Sequence, residues 1–399
     1  MGREEEMLKE RMRKVDELRK DKINPYPYSF EITHHSAELL KKYAHLKNEE
    51  KTHDKVNVAG RIMTIRSFGK LSFVQLQDAS GKIQIFIEES NLGKKENEFF
   101  LKHFDSGDII GVEGVMHRTK RGEISVLAKK ITLLTKAILP LPEKWHGLQD
   151  KEEQFRRRYL DIIMDPEVKS LFIKKSKFWQ TMRNFLLDRG FLEVETPVLE
   201  TCTGGAAATP FRTHHNALDI DVYLRISMGE LWQKKLMVAG YEKTFEIGRQ
   251  FRNEGIDMEH LQDYTQLEFY WAYADFNDGM KLVEEMYKTV AKEILGTLKF
   301  TTHGHDIDLE KKWGLYDYET VIKDRTGIDL MDDAVMSSIA TDLIGNSRQK
   351  GLFRQEITKA GLDTSALLRG DTSGAISLMF NFLKKSLVNE EKQFLKAAR

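Results

Sequence analysis

One cysteine, Cys202, stands among 399 residues. That excludes an intrachain disulfide and any zinc site built on several thiolates. Cys202 itself reads as a small packing residue. Neither sign of charge is in surplus, with 62 basic and 62 acidic residues. Bulk electrostatics therefore supply no affinity for nucleic acid, and any RNA contact has to be local. No apolar run approaches the ~20 residues of a membrane span. The opening MGREEEMLKE lacks the apolar stretch of a secretory signal, and Glu6 stands where a myristoylation motif wants Ser or Thr. These absences point to a soluble, cytoplasmic protein without membrane contact.

What the chain does have is apolar material, 41% of its residues including 22 Phe, ample for a core. Its length suits two domains plus extensions. Residues 4–20 are charged, with Leu8, Met12, Val15 and Leu18 at helical spacing, and NPYPYSF (24–30) interrupts the helix. A charged helical stretch is expected from there to about Glu50, closing an N-terminal helical extension over 1–54. From 55 to 137 short alternating runs are punctuated by turn pairs such as Ser80-Gly81 and Arg121-Gly122, about five strands that suit a small Greek-key barrel of the OB type. ILPLPEKWHG opens a linker over 138–164. From 165 the texture is mixed. Asp165 and Pro166 start a helix and Gly190 follows its end. Strands, a helix over ELWQKKLMVAG, a hairpin and a helix over 278–296 come next, with a helical insertion expected over 301–399. The fold class is α+β: a β-barrel, then an antiparallel sheet with flanking helices.

The hairpin carries the densest chemistry. Side chains alternate faces along a strand. In TFEIGRQF, Phe245 and Ile247 point to the core, while Glu246, Gly248, Gln250 and Arg252 point away. In TQLEFYWA, Leu267, Phe269 and Trp271 point inward, while Gln266, Glu268 and Tyr270 share the opposite face. Arg252 could fork two donors onto a carboxylate or phosphate, and Glu268 could hold an ammonium. Parity alone leaves two readings of that face, a ligand site or an ordinary solvated surface.

Several motifs, in order, resemble the class II aminoacyl-tRNA synthetases and, within them, the lysyl enzymes. GFLEVETPVLE is similar to their motif 1, with Pro197 as its proline; FRNEG followed by an acidic strand is similar to motif 2. GGAAATPFRTHHNALDIDVYLRIS, LPLPEKWHGLQDKEEQFRRRYLDII and GKLSFVQLQDASGKIQIFI resemble the lysyl enzymes over roughly residues 10–300. The resemblance implies ATP-dependent activation of L-lysine to lysyl-adenylate and transfer to tRNA(Lys), by a homodimer formed through the motif 1 helix and strand. It implies that Arg252 bridges the lysine carboxylate and the α-phosphate, Glu254 holds the adenine amino group, His260 the polyphosphate, and that Tyr264 stacks on adenine. It implies a lysine pocket of Gly205, Glu230, Glu268 and Tyr270. In the barrel, residues 55–137, it implies anticodon contacts from Arg61, Phe73 and Gln84; without it, Phe73 reads equally well as barrel core. The basic face of the N-terminal helix could add phosphate contacts or be merely solvated.

The departures are specific. SMGELWQKKL has one residue more than the usual Pro-Glu-Leu version, Tyr264 stands where relatives have Phe, and the proline after His260 is missing. No Gly-x-Gly-x-Gly followed by Arg occurs, so the expectation is a catalytic domain (165–399) truncated before motif 3. The magnesium ligands are then expected outside this chain, with no metal site inside it; the histidine pairs 34–35, 214–215 and 303 with 305 do not read as one. Two rivals remain, a catalytically inactive tRNA-binding paralogue or fragment and an aspartyl- or asparaginyl-type enzyme. Glu230 and Glu268 with Tyr270 suit a cationic substrate over an acidic one.

Overall fold

The computed structural model describes residues 3–142, 150–255, 260–326, 329 and 331–332. Contacts divide the chain into two compact units, 1–176 and 177–399.

In the first unit, helix α1 (Arg3–Lys20) and the short α2 (Ser36–Lys42) precede a closed barrel. The barrel strands are β1 (Lys51–Phe68), β2 (Leu71–Gln77), β3 (Lys82–Glu88), β4 (Ile109–Arg118) and β5 (Ile124–Thr135), with α3 (Glu89–Leu92) and α4 (Lys94–His103) between β3 and β4. Their order is β1-β2-β3-β5-β4, and β3 with β5 is the parallel pair. This is the expected OB-type barrel. Alternation explains it directly on β2 and β3: Val74, Leu76, Ile83, Ile85 and Ile87 are fully or almost fully buried, while their strand neighbours are more open. The stretch to Glu50 is less helical than expected; α2 is its one helix. The stripe on α1 also differs. Val15 and Leu18 are buried, but Met12 is 40% exposed and Arg11 takes the buried place beside them. Arg11 donates to the carbonyls of Ser106, Ala137 and Leu139, and Lys14 pairs with Asp105 at 2.8 Å. Lys136, fully buried, bonds Asp105 and Asp108. Helix α5 (Lys151–Arg156) and α6 (Arg158–Met164) follow.

Helix α7 (Pro166–Leu187) begins as expected, with the Asp165 carboxylate accepting from the Glu167 amide at 2.8 Å. The motif 1 segment after it forms two short strands, β6 (Leu192–Glu193) and β7 (Leu199–Glu200), with Pro197 exposed between them. A proline cannot donate to a strand ladder, so the segment makes two short strands in place of one. Strands β8 (Arg212–His215) and β9 (Ile220–Leu224) complete a three-stranded sheet with β7. Helix α8 (Glu230–Val238) leads to β10 (Lys243–Phe251) and β11 (Asp263–Trp271), and β6 pairs with β10. Phe245, Ile247, Leu267, Phe269 and Trp271 pack on Phe185 and Leu186 of α7 and on Leu282 and Met286 of α9 (Phe276–Leu295). The core faces follow from strand parity.

The helical expectation over 301–399 is corrected at its start. Residues 299–308 form a hairpin of β12 (Lys299–Thr302) and β13 (His305–Asp308). His303 and Gly304 both have positive φ, 48° and 78°, as a tight two-residue hairpin turn requires. Helix α10 (Tyr318–Thr326) is the last described element; the helix expected over 331–399 lies outside the described residues apart from 331–332. Cys202 is exposed, not packed.

Candidate active site

Strands β10 and β11 pair in a register that places Glu246 opposite Glu268, Gly248 opposite Gln266 and Thr244 opposite Tyr270. The polar face anticipated from parity therefore exists, but half of it is not free to meet a ligand. Glu246 is 3% exposed and Gln250 fully buried, covered by Arg225 and its neighbours at the end of β9. Arg225 Nη1 lies 2.6 Å from Glu246 Oε1 and donates to Thr196, while its Nε donates to the Arg249 carbonyl. Thr196 donates to the other Glu246 oxygen at 2.6 Å. A Cβ at Gly248 would come within 2.5 Å of the Arg225 guanidinium, so the small residue makes room for this pair. Burial of two charges is tolerated because each is paired and hydrogen-bonded.

The uncovered part of the face is a compact carboxylate cluster. Ser227 Oγ at 3.1 Å, the Met228 amide at 3.3 Å and Gln266 Nε2 at 2.6 Å all donate to Glu268 Oε1, while Oε2 takes none of these three bonds. Burial, reinforced by the Glu230 and Glu268 carboxylates and countered by Lys234, pushes the Tyr270 phenol up, so it stays protonated and able to donate. Glu230 opens α8 and pairs with Lys234 at 2.6 Å. The extra residue before it is accommodated by Gly229, whose left-handed backbone (φ 54°) a side chain would disfavour. Gly205, also at positive φ (87°), abuts the cluster: a Cβ there would lie 2.6 Å from Glu230 Oε2 and 2.7 Å from Ser227 Oγ. Gly205, Glu230, Glu268 and Tyr270 are thus brought together.

A second group adjoins this cluster at Arg252, whose Nε donates to the Ile226 carbonyl at 3.3 Å, one residue before Ser227. Arg252, Glu254, Gly255, His260, Leu261 and Tyr264 line a cavity of about 320 Å³. The Arg252 guanidinium carbon is 5.5 Å from the Tyr264 ring centroid, a cation–π arrangement. Glu254 accepts from the Thr209 amide at 3.1 Å, and the Asn253 amide donates to the Thr209 carbonyl, which fixes the Gly/Ala-rich loop against this turn. All four residues expected at the nucleotide line one cavity.

On the barrel, Phe73 and Gln84 face outward, and Phe73 belongs to a stacked ring pair with Phe86, outside the buried core. The barrel-core reading of Phe73 therefore falls. Gln84 donates to Ser125 at 2.9 Å. Arg61 is not beside Phe73. It pairs in register with Gln77, at the far end of β2, donates to the Gly107 carbonyl at 2.7 Å, and lines a separate cavity of about 510 Å³ with Tyr28, Phe30, Gln77 and Asp78. Burial pulls its guanidinium below the usual range, against the opposing pull of Asp108.

A profile of the OB-fold nucleic acid binding domain matches residues 56–134, and one of the tRNA synthetases class II (D, K and N) matches residues 150–373. The chain belongs to the class II tRNA synthetases. It is 45% identical over 333 residues to a lysine–tRNA ligase of Nostoc punctiforme, covering 82% of this chain and 59% of that protein. The corresponding ligase of Carboxydothermus hydrogenoformans is 45% identical over 357 residues, 89% of this chain and 72% of its own length. That of Oceanobacillus iheyensis is 46% identical over 326 residues, 81% and 66%. The chain thus spans about three fifths of the length of the first of these relatives.

Three kinds of group were not legible as site residues in the sequence. Ser227 donates to Glu268 beside Gln266, yet nothing in SMGEL marks it as a partner of a strand about forty residues on. Arg225 and Thr196 bury Glu246, and no spacing signals that. Arg66 was visible: it lies opposite Phe73 in the β1–β2 register and is exposed, which parity across the SFGKLSF turn could have found. Among the described residues no group of three or more His, Cys, Asp or Glu could hold a metal ion.

Proposed function

We propose that the chain is the lysine-activating and anticodon-binding portion of a lysine–tRNA ligase. The observation that carries this is the cluster of Glu230, Glu268 and Tyr270 around Gly205, joined through Arg252 to the neighbouring cavity. Two carboxylates and a protonated phenol with one exposed lysine among them leave a net negative pocket, which suits a substrate bearing ammonium groups. Arg252 lies between the two sites. Its guanidinium can bridge a substrate carboxylate and the α-phosphate of ATP, where negative charge grows as the carboxylate oxygen attacks phosphorus and pyrophosphate leaves. Glu254 accepts from the adenine amino group, Tyr264 stacks on the base, and His260 meets the polyphosphate. The adenylate then passes its lysyl group to the terminal ribose of tRNA(Lys). ATP enters as a substrate with its magnesium, and no step is assigned to the ion.

We further propose a cytoplasmic homodimer through α7 and the Pro197 segment. Its support is the exposure of Leu171, Ile173, Leu192, Val198 and Leu199 along that stretch. No helix among the described residues is long and apolar enough to cross a membrane.

The test is ATP–pyrophosphate exchange with lysine, aspartate and asparagine in parallel. Exchange driven by lysine is expected. Preference for aspartate or asparagine overturns the pocket reading. Exchange with none of them, together with salt-sensitive tRNA binding, gives the second reading, a tRNA-binding relative without amino-acid activation.

A further inference from the structure

Ser227 borders the carboxylate cluster with hydrogen-bonding capacity to spare. The residue is 4% exposed, and its Oγ donates to Glu268 Oε1 at 3.1 Å. A carboxylate can only accept, so the one hydrogen of the hydroxyl is committed there. Two lone pairs remain, and no donor among the described residues is bonded to them. The same Oγ abuts Gly205. A Cβ built on that glycine would lie 2.7 Å from Ser227 Oγ and 2.6 Å from Glu230 Oε2. Glu230 Oε1 is engaged by Lys234, and no donor among the described residues is bonded to Oε2. Two open acceptors thus flank one glycine. We propose that Ser227 is a further substrate-contacting residue: its hydroxyl oxygen accepts one N–H of the α-ammonium of the bound amino acid, while Glu230 Oε2 accepts another. This rests on the reading of the cluster as the lysine pocket.

The α-ammonium is favoured over the distal one by what stands next to Ser227. The Ile226 carbonyl, one residue earlier, accepts from Arg252 Nε at 3.3 Å. Arg252 is the group that meets the substrate carboxylate, and the α-amino group is carried on the carbon bonded to that carboxylate. Glu268 Oε2 takes none of the bonds that reach Oε1, and with the Tyr270 hydroxyl it is left for the second ammonium. Donation to a carboxylate also polarises the Ser227 hydroxyl and strengthens its oxygen as an acceptor. Gln266 makes the contrast. Its Nε2 donates to the same Glu268 oxygen at 2.6 Å, but its Oε1 is buried without a hydrogen-bond partner among the described residues. Gln266 can position Glu268 and offers the pocket no acceptor. Ser227 does both.

The test is titration calorimetry of the full chain with lysine, beside displacement of bound lysine by 6-aminohexanoate. That analogue keeps the carboxylate and the distal ammonium but lacks the α-amino group. Ser227→Ala should weaken lysine about tenfold more than it weakens 6-aminohexanoate, the size of one hydrogen bond to a charged group. Ser227→Cys, similar in shape but a weak acceptor, should show the same gap. Gln266→Met, which removes only a donor to Glu268, should weaken both ligands alike. Unchanged lysine affinity in Ser227→Ala overturns the proposal. So does an equal loss for both ligands, which would make Ser227 a positioning residue for Glu268 alone. If the unaltered chain binds lysine but not the analogue, a double-mutant cycle with Glu230→Gln decides: coupled losses uphold a shared ammonium, and additive ones overturn it. A chain that does not bind lysine at all fails the pocket reading itself, and the Ser227 contact falls with it.

Discussion

A methyl group at position 205 would have to share space with Glu230 Oε2 and Ser227 Oγ, at 2.6 and 2.7 Å from its carbon. It would also sit on a backbone at φ 87°, where an L side chain costs about 1 kcal/mol. Gly205→Ala is therefore expected to weaken lysine binding at least about tenfold, a displacement of the carboxylate worth ~1.4 kcal/mol or more. Titration calorimetry with lysine checks it, and unchanged affinity would remove Gly205 from the pocket. Arg252 makes a different kind of contribution. Lysine in its place keeps the charge but loses the planar fork. Arg252→Lys should lower the exchange rate by about a hundredfold or more, as loss of a transition-state donor does, while lysine affinity changes far less. A mutant that weakens both in equal measure would make Arg252 a ground-state binder only.

At the scale of elements, α2 is tied to the β2–β3 turn by one carboxylate. Asp78 accepts from the Ser36 amide at 2.6 Å and hydroxyl at 2.7 Å, and from the amides of Ser80 and Gly81. Burial pushes its pKa up, but these donors outweigh it and hold the carboxyl below the usual carboxylate range. A depressed folded-state pKa means stability that is present at neutral pH and lost as pH falls through the folded value. Urea unfolding should show Asp78→Ala less stable by about 2 kcal/mol at pH 7, from lost charge-assisted bonds. That gap should narrow between about pH 5 and pH 2; a gap constant over that range would contradict the role given to the charged form. The strands themselves were legible because alternation marks faces: β2, β3, β10 and β11 lie where period two puts them. What alternation cannot report is whether a polar face meets solvent or another segment. Glu246 and Glu268 stand opposite each other on one face, yet Arg225 and Thr196 bury the first and leave the second to the pocket. For the same reason the helical spacing of α1 did not mark Arg11 as buried: its carbonyl partners lie 95 or more residues away.

For the whole molecule, balanced charge and misplaced apolar surface point the same way. With 62 residues of each sign there is no net repulsion between copies. Leu171 and Ile173 on α7 are 63% and 61% exposed, and Leu192, Val198 and Leu199 on the segment after it are between 39% and 49% exposed. The helix repeats its apolar residues along its length, but only its later turns, with Met182, Phe185 and Leu186, reach the core cluster. On the earlier turns Leu171 and Ile173 stay exposed, outside either core cluster of the described residues. A second copy meeting this face would bury them at roughly 25 cal/mol per Å², and removing the match should separate the copies. Leu171→Glu with Ile173→Glu is expected to shift the protein from dimer to monomer in sedimentation equilibrium. Circular dichroism and the urea midpoint should stay close to wild type, because neither side chain supports the core. A wild-type chain that sediments as a monomer at micromolar concentration would overturn the dimer, and a double variant that remains dimeric would move the interface off α7.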